Sequence, residues 1–559
     1  MTSESHANTR NVLQRLWDKD ASLWTSDPTA QAAIRSRLGW LSIASVMEPQ
    51  VPVIQAFAQD VKQAGFTHAL LLGMGGSSLF AEVCRHTFGI APGGLDLLVL
   101  DTTDPAAIQA AMARAPLERT LFIVSSKSGA TTESSALCAY AYDQCHRRMA
   151  DKAGQQFIAI TDAGTPLEAQ AQQLRFRRAF VHGPMTGQDV GGRFSALTYF
   201  GLVPAALMGV DIRALLSSAQ AMGTRCQPAA PLADNPAAQL GVFLGDAYAA
   251  GRDKMTLLTS ASLSRFGVWV EQLVAESTGK AGKGLVPVTS EPLREPAAYG
   301  ADRMFVELQL EAERDAALSS RLDALAQAGH PVIRLRWRDR TELGGETIRW
   351  FLATAIAASS MQLNPFDEPN VQESKDRTKA LLDQYVRDGV LPTESLVVGS
   401  GFDPERKRRA EPAPSSEDSP SADGARLREF LRTAKPGDYL AILSFLPRTP
   451  ELDQAVESLW MRLADTCGVV TTLGYGPRYL HSTGQLHKGG PDTGLFVMLT
   501  SDDPVDLPVP GMPYSFSVLK QAQALGDIQA LRDRKRRLLH LPLARSPLEA
   551  LRSLAQPAR

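Results

Sequence analysis

Residues 68–78 read HALLLGMGGSS and decide the fold. The first part of this stretch is an apolar run of strand length, and the glycines that follow are typical of a tight turn into a helix. Comparable runs recur after helical stretches, at 95–101 (LDLLVLD), 120–125 (TLFIVS), 157–161 (FIAIT) and 178–182 (RAFVH). Short strands that alternate with helices predict βαβ units, and therefore a parallel sheet with helices on both faces.

The rest of the chain extends this pattern. A second series of predicted strands indicates a second α/β unit, at 254–259 (KMTLLT), 285–288, 303–306 and 331–336 (PVIRLR). A third α/β stretch lies near the C-terminus, with strands predicted at 438–446, 468–472, 495–500 and 537–543 and a helix at 515–532. Between the second and third units, residues 410–425 (AEPAPSSEDSPSADGA) offer little to bury, which predicts a disordered linker.

Five segments follow from these patterns. Their predicted bounds are 1–50 for a helical N-terminal arm, 51–215 for a first α/β domain, 216–400 for a second, 401–428 for the linker and 429–559 for a C-terminal α/β segment. The arm is predicted to be helical because Leu13, Leu16 and Trp17 share one helix face. At roughly 150 residues per domain, the 559-residue chain is long enough for two full domains and these additional segments.

The composition excludes several classes of protein. Lys and Arg number 58 against 60 Asp and Glu, a net charge of −2, which argues against nucleic acid as a partner because phosphate binding requires a concentrated positive field. Every apolar run is shorter than a membrane span, and the N-terminal sequence does not have the pattern of a secretory signal. The five cysteines form no CxxC pair. We therefore expect a cytoplasmic protein with no nucleic-acid and no membrane partner.

Two loops at the carboxyl ends of predicted strands carry ligand-binding chemistry. In Gly73–Ser78, glycine backbone meets a helix N-terminus, which favours the close approach of an anion. This loop also half-matches a dinucleotide fingerprint, with Asp101 where a ribose-binding acid would lie, so a nucleotide-dependent oxidoreductase is one alternative and a structural turn another. In 125–133 (SSKSGATTE), hydroxyls, a lysine and a glycine crowd a helix start, which is what a phosphate monoester requires; a serine-rich helix cap is the alternative.

GMGGSS followed by SSKSGATTE resembles the sugar isomerase domain of the phosphoglucose isomerases. The resemblance implies that Gly76 and Ser77 line the sugar and that Glu133 lies close to the catalytic base. It also implies a set of residues that hold the 6-phosphate, namely Ser126, Lys127, Ser128 and Thr131.

Two further segments add charged side chains. Val190–Arg193 (VGGR) sets an arginine beside flexible backbone, where a guanidinium can reach a developing oxyanion. Residues 271–280 (EQLVAESTGK) read as a helix that ends at a glycine, with Gln272 and Glu276 on one face. Both segments resemble phosphoglucose isomerase motifs. The resemblance implies that Arg193 stabilises the enediolate intermediate and that Glu276 is the base, with Gln272 beside it.

The last two motifs resemble the ring-opening elements of that family. NPFDEPN (364–370), followed by Lys375, is similar to the element whose lysine helps to open the sugar ring, but Glu368 stands where the family usually has Gln. LHSTGQ (480–485) is similar to the element of the ring-opening histidine, which would be His481; His487 is the alternative. In most relatives this element lies between the glutamate and lysine segments, and its histidine comes from the neighbouring subunit of a dimer.

The resemblance covers most of residues 60–500 and is closest to the isomerase part of fused transaldolase–phosphoglucose isomerase proteins, although we expect no transaldolase activity. It implies two sugar isomerase (SIS) domains, each a three-layer αβα unit around a mainly parallel sheet, with helical arms at both ends and residues 429–559 completing the second domain and the active site. The expected activity is aldose–ketose isomerisation of a sugar phosphate by a homodimer without cofactor or metal. A non-catalytic sugar-phosphate sensor and the oxidoreductase remain alternatives.

Overall fold

The structure is a computed structural model that describes residues 3–183, 189–392, 420–543 and 546–555. Within these ranges the chain forms three parallel sheets flanked by helices. Four helices precede the first strand, α1 (Ser3–Trp17), α2 (Pro28–Ser36), α3 (Ile43–Met47) and α4 (Val51–Gln63). Leu13 and Leu16 of α1 are fully buried, as the predicted apolar face requires. The Asp27 side chain accepts a hydrogen bond from the Thr29 amide and so caps α2.

The first sheet has five parallel strands in the order β2-β1-β3-β4-β5. Their bounds are β1 (His68–Gly73), β2 (Asp96–Leu100), β3 (Thr120–Ser125), β4 (Phe157–Asp162) and β5 (Arg178–His182), and the helices between them are α5 (Leu79–Phe88), α6 (Pro105–Arg114), α7 (Thr132–Met149) and α8 (Pro166–Gln173). Ala69 and Leu71 pack into one apolar core, whereas Leu70 and Leu72 pack into another. Alternate residues of β1 therefore face opposite helix layers, as in a sheet that is covered on both sides.

The second sheet has four parallel strands in the order β7-β6-β8-β9. Its strands are β6 (Lys254–Thr259), β7 (Val286–Thr289), β8 (Arg303–Leu310) and β9 (Val332–Trp337). The helices of this part are α9 (Tyr199–Leu207), α10 (Ile212–Arg225), α11 (Pro236–Ala249), α12 (Ser264–Thr278), α13 (Ala316–Gln327), α14 (Leu343–Ser360) and α15 (Val371–Asp388). Helix α14 is buried along almost its whole length, so it forms the centre of the helix layer.

The C-terminal segment forms a sheet of its own, in the order β11-β10-β12-β13. The strands are β10 (Tyr439–Phe445), β11 (Val470–Tyr475), β12 (Gly494–Thr500) and β13 (Arg537–Pro542), and the helices are α16 (Pro420–Leu431), α17 (Pro450–Thr466), α18 (Gly484–Gly489), α19 (Phe516–Asp533) and α20 (Pro547–Leu554). Val286 and Val288 of the second sheet share one apolar core with Tyr439, Leu443 and Met498. The segment thus joins the second unit by packing, and in the described ranges no ladder of hydrogen bonds connects the two sheets.

The α/β class with parallel, helix-flanked sheets is confirmed, whereas the domain boundaries remain predictions. Most of the predicted linker, 401–428, lies outside the described residues, but its end differs from the prediction because α16 already begins at Pro420. Leu427 is buried, and Arg426 Nη1 lies 3.1 Å from Asp423 Oδ1. A buried leucine and an ion pair between residues one helix turn apart thus stabilise a helix in a stretch whose composition predicts disorder.

None of the helices in the described ranges combines the length and the hydropathy that a bilayer crossing requires. The same ranges contain no group of three His, Cys, Asp or Glu side chains arranged to hold a metal ion. All five cysteines are free thiols, and four of them are buried.

Candidate active site

A cavity of about 270 Å³ collects the predicted site residues from all three α/β units. Parallel strands direct their following loops to one edge of a sheet, which is where ligand crevices form in such folds. Of the predicted residues, those that line the cavity are Gly76, Ser77, Lys127, Ser128, Thr131, Arg193, Gln272, Glu276, Glu368, Lys375 and His481. Ser126 and Glu133 lie behind the wall, and each is hydrogen-bonded to a lining residue.

The glycine loop after β1 is the point where three segments meet. A Cβ atom on Gly76 would lie 2.1 Å from the carbonyl oxygen of Gly192, so the backbone of the VGGR segment leaves room only for glycine. Gly75 has a φ of +53°, and a Cβ there would lie 2.7 Å from the carbonyl oxygen of His481. The glycines therefore allow Arg193 and His481 to approach the same turn.

The loop after β3 presents hydroxyl groups at the start of α7. The hydroxyls of Ser126 and Thr131 are hydrogen-bonded at 2.9 Å, and those of Ser128 and Thr131 reach the cavity. Lys127 Nζ lies 2.6 Å from Asp162 Oδ2 and 2.7 Å from Asp189 Oδ1. Burial alone would lower the pKa of Lys127, but these two carboxylates outweigh burial and raise it. Lys127 is therefore positively charged, and two carboxylates pair with it.

His481 is held by a buried carboxylate. Its Nε2 lies 2.9 Å from Glu133 Oε1, and the Gln523 amide donates to the same oxygen at 2.7 Å. Burial tends to raise the pKa of Glu133, but His481 and, more weakly, Lys375 hold it below the ordinary value. An ionised Glu133 fixes the orientation of the imidazole.

His487, the alternative histidine, lies outside the cavity. It is 97% buried among the rings of Tyr439, Tyr479 and Phe496. Desolvation lowers the pKa of His487 to about 3, so it stays neutral in the core. Of the two candidate histidines, His481 lines the cavity and His487 does not.

Glu276 is buried near the end of α12, where Arg193 lies between it and Glu368. Arg193 Nη1 is 3.7 Å from Glu276 Oε2 and 3.0 Å from Glu368 Oε2. The guanidinium, which is only 2% exposed, also donates to Ser277 Oγ and to the Pro365 carbonyl oxygen. Burial raises the pKa of Glu276, and Arg193 offsets this only in part. A carboxylate with raised proton affinity is suited to accept and return a proton near neutral pH.

Gln272 and Glu368 complete this part of the wall. The Gln272 amide donates to the His481 carbonyl oxygen at 2.8 Å and to Glu276 Oε2 at 3.3 Å, so it connects Glu276 to the loop of His481. Burial tends to raise the pKa of Glu368, but Arg193 and Arg37 outweigh burial and lower it. The unusual carboxylate is therefore ionised and paired with cations.

Three residues around the site were not predicted. Lys280 donates to the Asn364 carbonyl oxygen at 2.8 Å and pairs with Asp367, and burial lowers the pKa of Lys280 to about 8. Lys280 is the last residue of the EQLVAESTGK segment, and this position is the sequence feature that could have identified it. Gln523 and Arg37 come from distant segments, and no local pattern marked them.

Asp101 does not reach the cavity. Its carboxylate lies 3.1 Å from Nε of the half-buried Arg478, whose Nη2 donates to Glu82 Oε2 at 2.6 Å. Arg478 belongs to the loop that carries His481, so this ion-pair network attaches that loop to the first α/β unit. Asp101 is thereby paired with Arg478 and is not placed to bind a ribose. The oxidoreductase alternative depended on Asp101 for that contact.

The family described as "Phosphoglucose isomerase" matches residues 56–288. Glucose-6-phosphate isomerase of Synechococcus sp. (strain JA-3-3Ab) is 29% identical over 57% of this chain and 66% of its own length. The probable glucose-6-phosphate isomerase of Natronomonas pharaonis is 31% identical over 56% of this chain and 68% of its own. This chain thus spans just under two thirds of the length of the Synechococcus protein. It spans 85% of the glucose-6-phosphate isomerase of Carboxydothermus hydrogenoformans, at 26% identity over 62% of this chain.

Two solved structures share the fold. A hypothetical protein of Thermus thermophilus has a TM-score of 0.57 at 22% identity, covering 68% of this chain and 95% of that one. A glucose-6-phosphate isomerase of Chlamydia trachomatis has a TM-score of 0.51 at 17% identity, covering 66% and 78%. From the sequence matches, the chain belongs to the phosphoglucose isomerase family.

Proposed function

We propose that this chain catalyses the reversible conversion of glucose 6-phosphate to fructose 6-phosphate, a step of glycolysis and gluconeogenesis. The observation that carries the proposal is the buried Glu276, which faces one cavity together with Arg193, Lys375 and the His481–Glu133 pair. A protein that only binds a sugar phosphate needs the hydroxyl loop after β3 but has no need of this set of acid–base groups.

The substrate phosphate binds at the start of α7 in this proposal. The hydroxyls of Ser128 and Thr131 and the amides of the first helix turn donate to it, and Lys127 adds positive charge. Ser126 orients the Thr131 hydroxyl through their hydrogen bond. Binding of the phosphate holds the reacting carbons near Glu276. Binding energy from a part of the substrate that does not react thus positions the part that does.

Ring opening comes first in the reaction. His481, held by Glu133, acts as the acid that gives a proton to the ring oxygen. The anomeric hydroxyl passes its proton to a solvent water, from which His481 recovers a proton, and Lys375 lies beside them.

The Glu276 carboxylate then removes the proton from C2 of the open aldose, the electron pair forms the C1–C2 double bond, and the C1 carbonyl oxygen becomes the charged oxygen of a cis-enediolate. A proton then passes from the C2 hydroxyl to this oxygen. Glu276 returns its proton to C1, the C2 oxygen becomes the carbonyl, and the product is the ketose. Arg193 stabilises the negative charge that develops on the oxygens.

A coupled assay tests the proposal directly. Fructose 6-phosphate is supplied without added metal, and formation of glucose 6-phosphate is followed through its oxidation by a dehydrogenase. We expect turnover by the purified chain. Folded protein that binds fructose 6-phosphate in calorimetry but does not convert it would favour the sugar-phosphate sensor over the isomerase.

We further propose that the protein is a cytoplasmic homodimer whose two active sites are each complete within one chain. The support is that His481 contacts Glu133 and Gln272 of its own chain, although the family resemblance suggests a histidine from the neighbouring subunit. Size-exclusion chromatography with light scattering measures the oligomeric state.

Hybrids of two inactive variants test whether the histidine acts within its own chain. Glu276→Gln and His481→Asn chains are co-expressed with different tags, and the doubly tagged hybrid is purified. We expect activity no higher than that of either variant alone. If the C-terminal segment were exchanged between subunits, each hybrid dimer would hold one unmodified site, and the purified hybrid would recover about half of wild-type activity.

A further inference from the structure

The N-terminal arm packs against the turn that carries Glu368. Trp24 meets Phe366 edge-on, with ring centroids 5.0 Å apart, and Trp40 stacks on Phe194 at 5.4 Å. The Trp24 indole also donates to the Ala355 carbonyl oxygen at 3.2 Å. Buried aromatic pairs of this kind stabilise beyond the area that they bury, so the end of α2 has a defined position beside the cavity.

Arg37 follows directly after α2 and extends toward the site. Its Nη1 donates to the carbonyl oxygen of Phe366 and lies 3.6 Å from Glu368 Oε2. The side chain is 33% exposed and lines the cavity with Lys375 and Arg193. No step of the proposed reaction uses it.

The charges around Glu368 give Arg37 a role. Arg193 contacts two carboxylates, Glu276 at 3.7 Å and Glu368 at 3.0 Å, and it must also face the anionic intermediate. With Arg37 present, two guanidinium groups balance these two carboxylates. Without it, one buried guanidinium would be shared by both, and the cavity would carry one more uncompensated negative charge against a phosphate dianion.

We propose that Arg37 is a positioning residue of the active site, which neutralises Glu368 and so leaves Arg193 available to Glu276 and to the sugar phosphate. The inference rests on the proposed function. It also accounts for a carboxylate at a position where the family usually has a neutral glutamine, because the added negative charge comes with its own cation.

A double-mutant cycle tests this coupling. The variants are Arg37→Met, Glu368→Gln and the two combined, with Arg35→Met as a control, since Arg35 is an exposed arginine two residues earlier on α2. We expect Arg37→Met to lower kcat/KM about tenfold, mainly through a higher KM, because a partly exposed pair carries a coupling of this order. In the Glu368→Gln background the same substitution should change kcat/KM by less than about twofold. Arg35→Met should match the wild type.

Two results would overturn the proposal. Equal losses from Arg37→Met in both backgrounds would mean that Arg37 contacts the substrate directly rather than acting through Glu368. An Arg37→Met variant as active as Arg35→Met would mean that Arg37 has no influence on the site. Denaturation midpoints of all variants separate loss of folding from loss of coupling.

Binding separates this inference from the proposed function. Calorimetry with fructose 6-phosphate gives the dissociation constants of the same variants whether or not they turn over. If the wild type binds but does not isomerise, the proposed function fails. The dissociation constants of the four variants then still show whether the effect of Arg37→Met depends on Glu368, which is what the inference claims.

Discussion

Replacing Glu276 by glutamine is expected to lower kcat by about 10²–10⁴-fold while fructose 6-phosphate still binds. Glutamine has nearly the same size and cannot take a proton from carbon, so the substitution removes the base and leaves the cavity intact. Burial raises the pKa of Glu276, which makes its carboxylate a stronger base than an exposed glutamate. Initial rates in the coupled assay and calorimetric binding measure the two effects separately.

Glu271→Gln is the matched control for this prediction. Glu271 lies on the same helix, α12, and burial raises its pKa to about 7, but it faces a separate cavity beside Thr289 and Tyr475. The same chemical change there should leave kcat near the wild-type value. Normal turnover by Glu276→Gln would show that another group removes the proton, and an equal loss in Glu271→Gln would point to damage to α12 as a whole.

Arg193→Met is expected to reduce both turnover and stability. Loss of the guanidinium removes the charge that stabilises the developing enediolate, for which a reduction of kcat by about 10²–10³-fold is typical of an oxyanion donor. It also removes the buried guanidinium that contacts Glu368, Glu276 and the Pro365 carbonyl oxygen. Breaking one side of a buried ion pair costs about 3–5 kcal/mol of unfolding free energy.

Urea denaturation and steady-state kinetics measure these two effects. Arg213→Met is the control, because Arg213 pairs with Glu48 on the surface with half of its side chain exposed, and such pairs contribute only about 0–1 kcal/mol. Arg193→Lys keeps the charge and should recover part of the stability but less of kcat, since an ammonium lacks the planar set of donors. An Arg193→Met variant with wild-type turnover would remove Arg193 from the mechanism.

Much of the first α/β unit is evident in the sequence. Its central strands β1 and β3 are mainly apolar runs, because both faces of the sheet are buried there, and glycine or hydroxyl residues mark each loop that reaches the cavity. The residue types in VGGR and EQLVAESTGK also limit what Arg193 and Glu276 can do. Local patterns of this kind suffice when the residues that act together lie within one loop or one helix turn.

The remaining features depend on contacts between distant parts of the chain. Arg37 reaches the carbonyl of Phe366, 329 residues further along, and Gln523 reaches Glu133 across 390 residues. Neither hydrophobic periodicity nor a short motif indicates that residues so far apart in the sequence are in contact. Composition was also misleading at the linker, where Pro420–Leu431 is helical because Leu427 is buried by its tertiary neighbours.

The separate C-terminal sheet makes catalysis sensitive to how two folded bodies fit together. Glu276 is carried by α12, whereas His481 precedes α18 in a loop that Arg478 attaches to Glu82 and Asp101. The distance between these two proposed proton-transfer groups is therefore set by an interface, and neither body fixes it alone. A substitution that loosens this interface would lower turnover while each sheet stays folded, so enzyme activity reports on the fit between the bodies more sensitively than circular dichroism does.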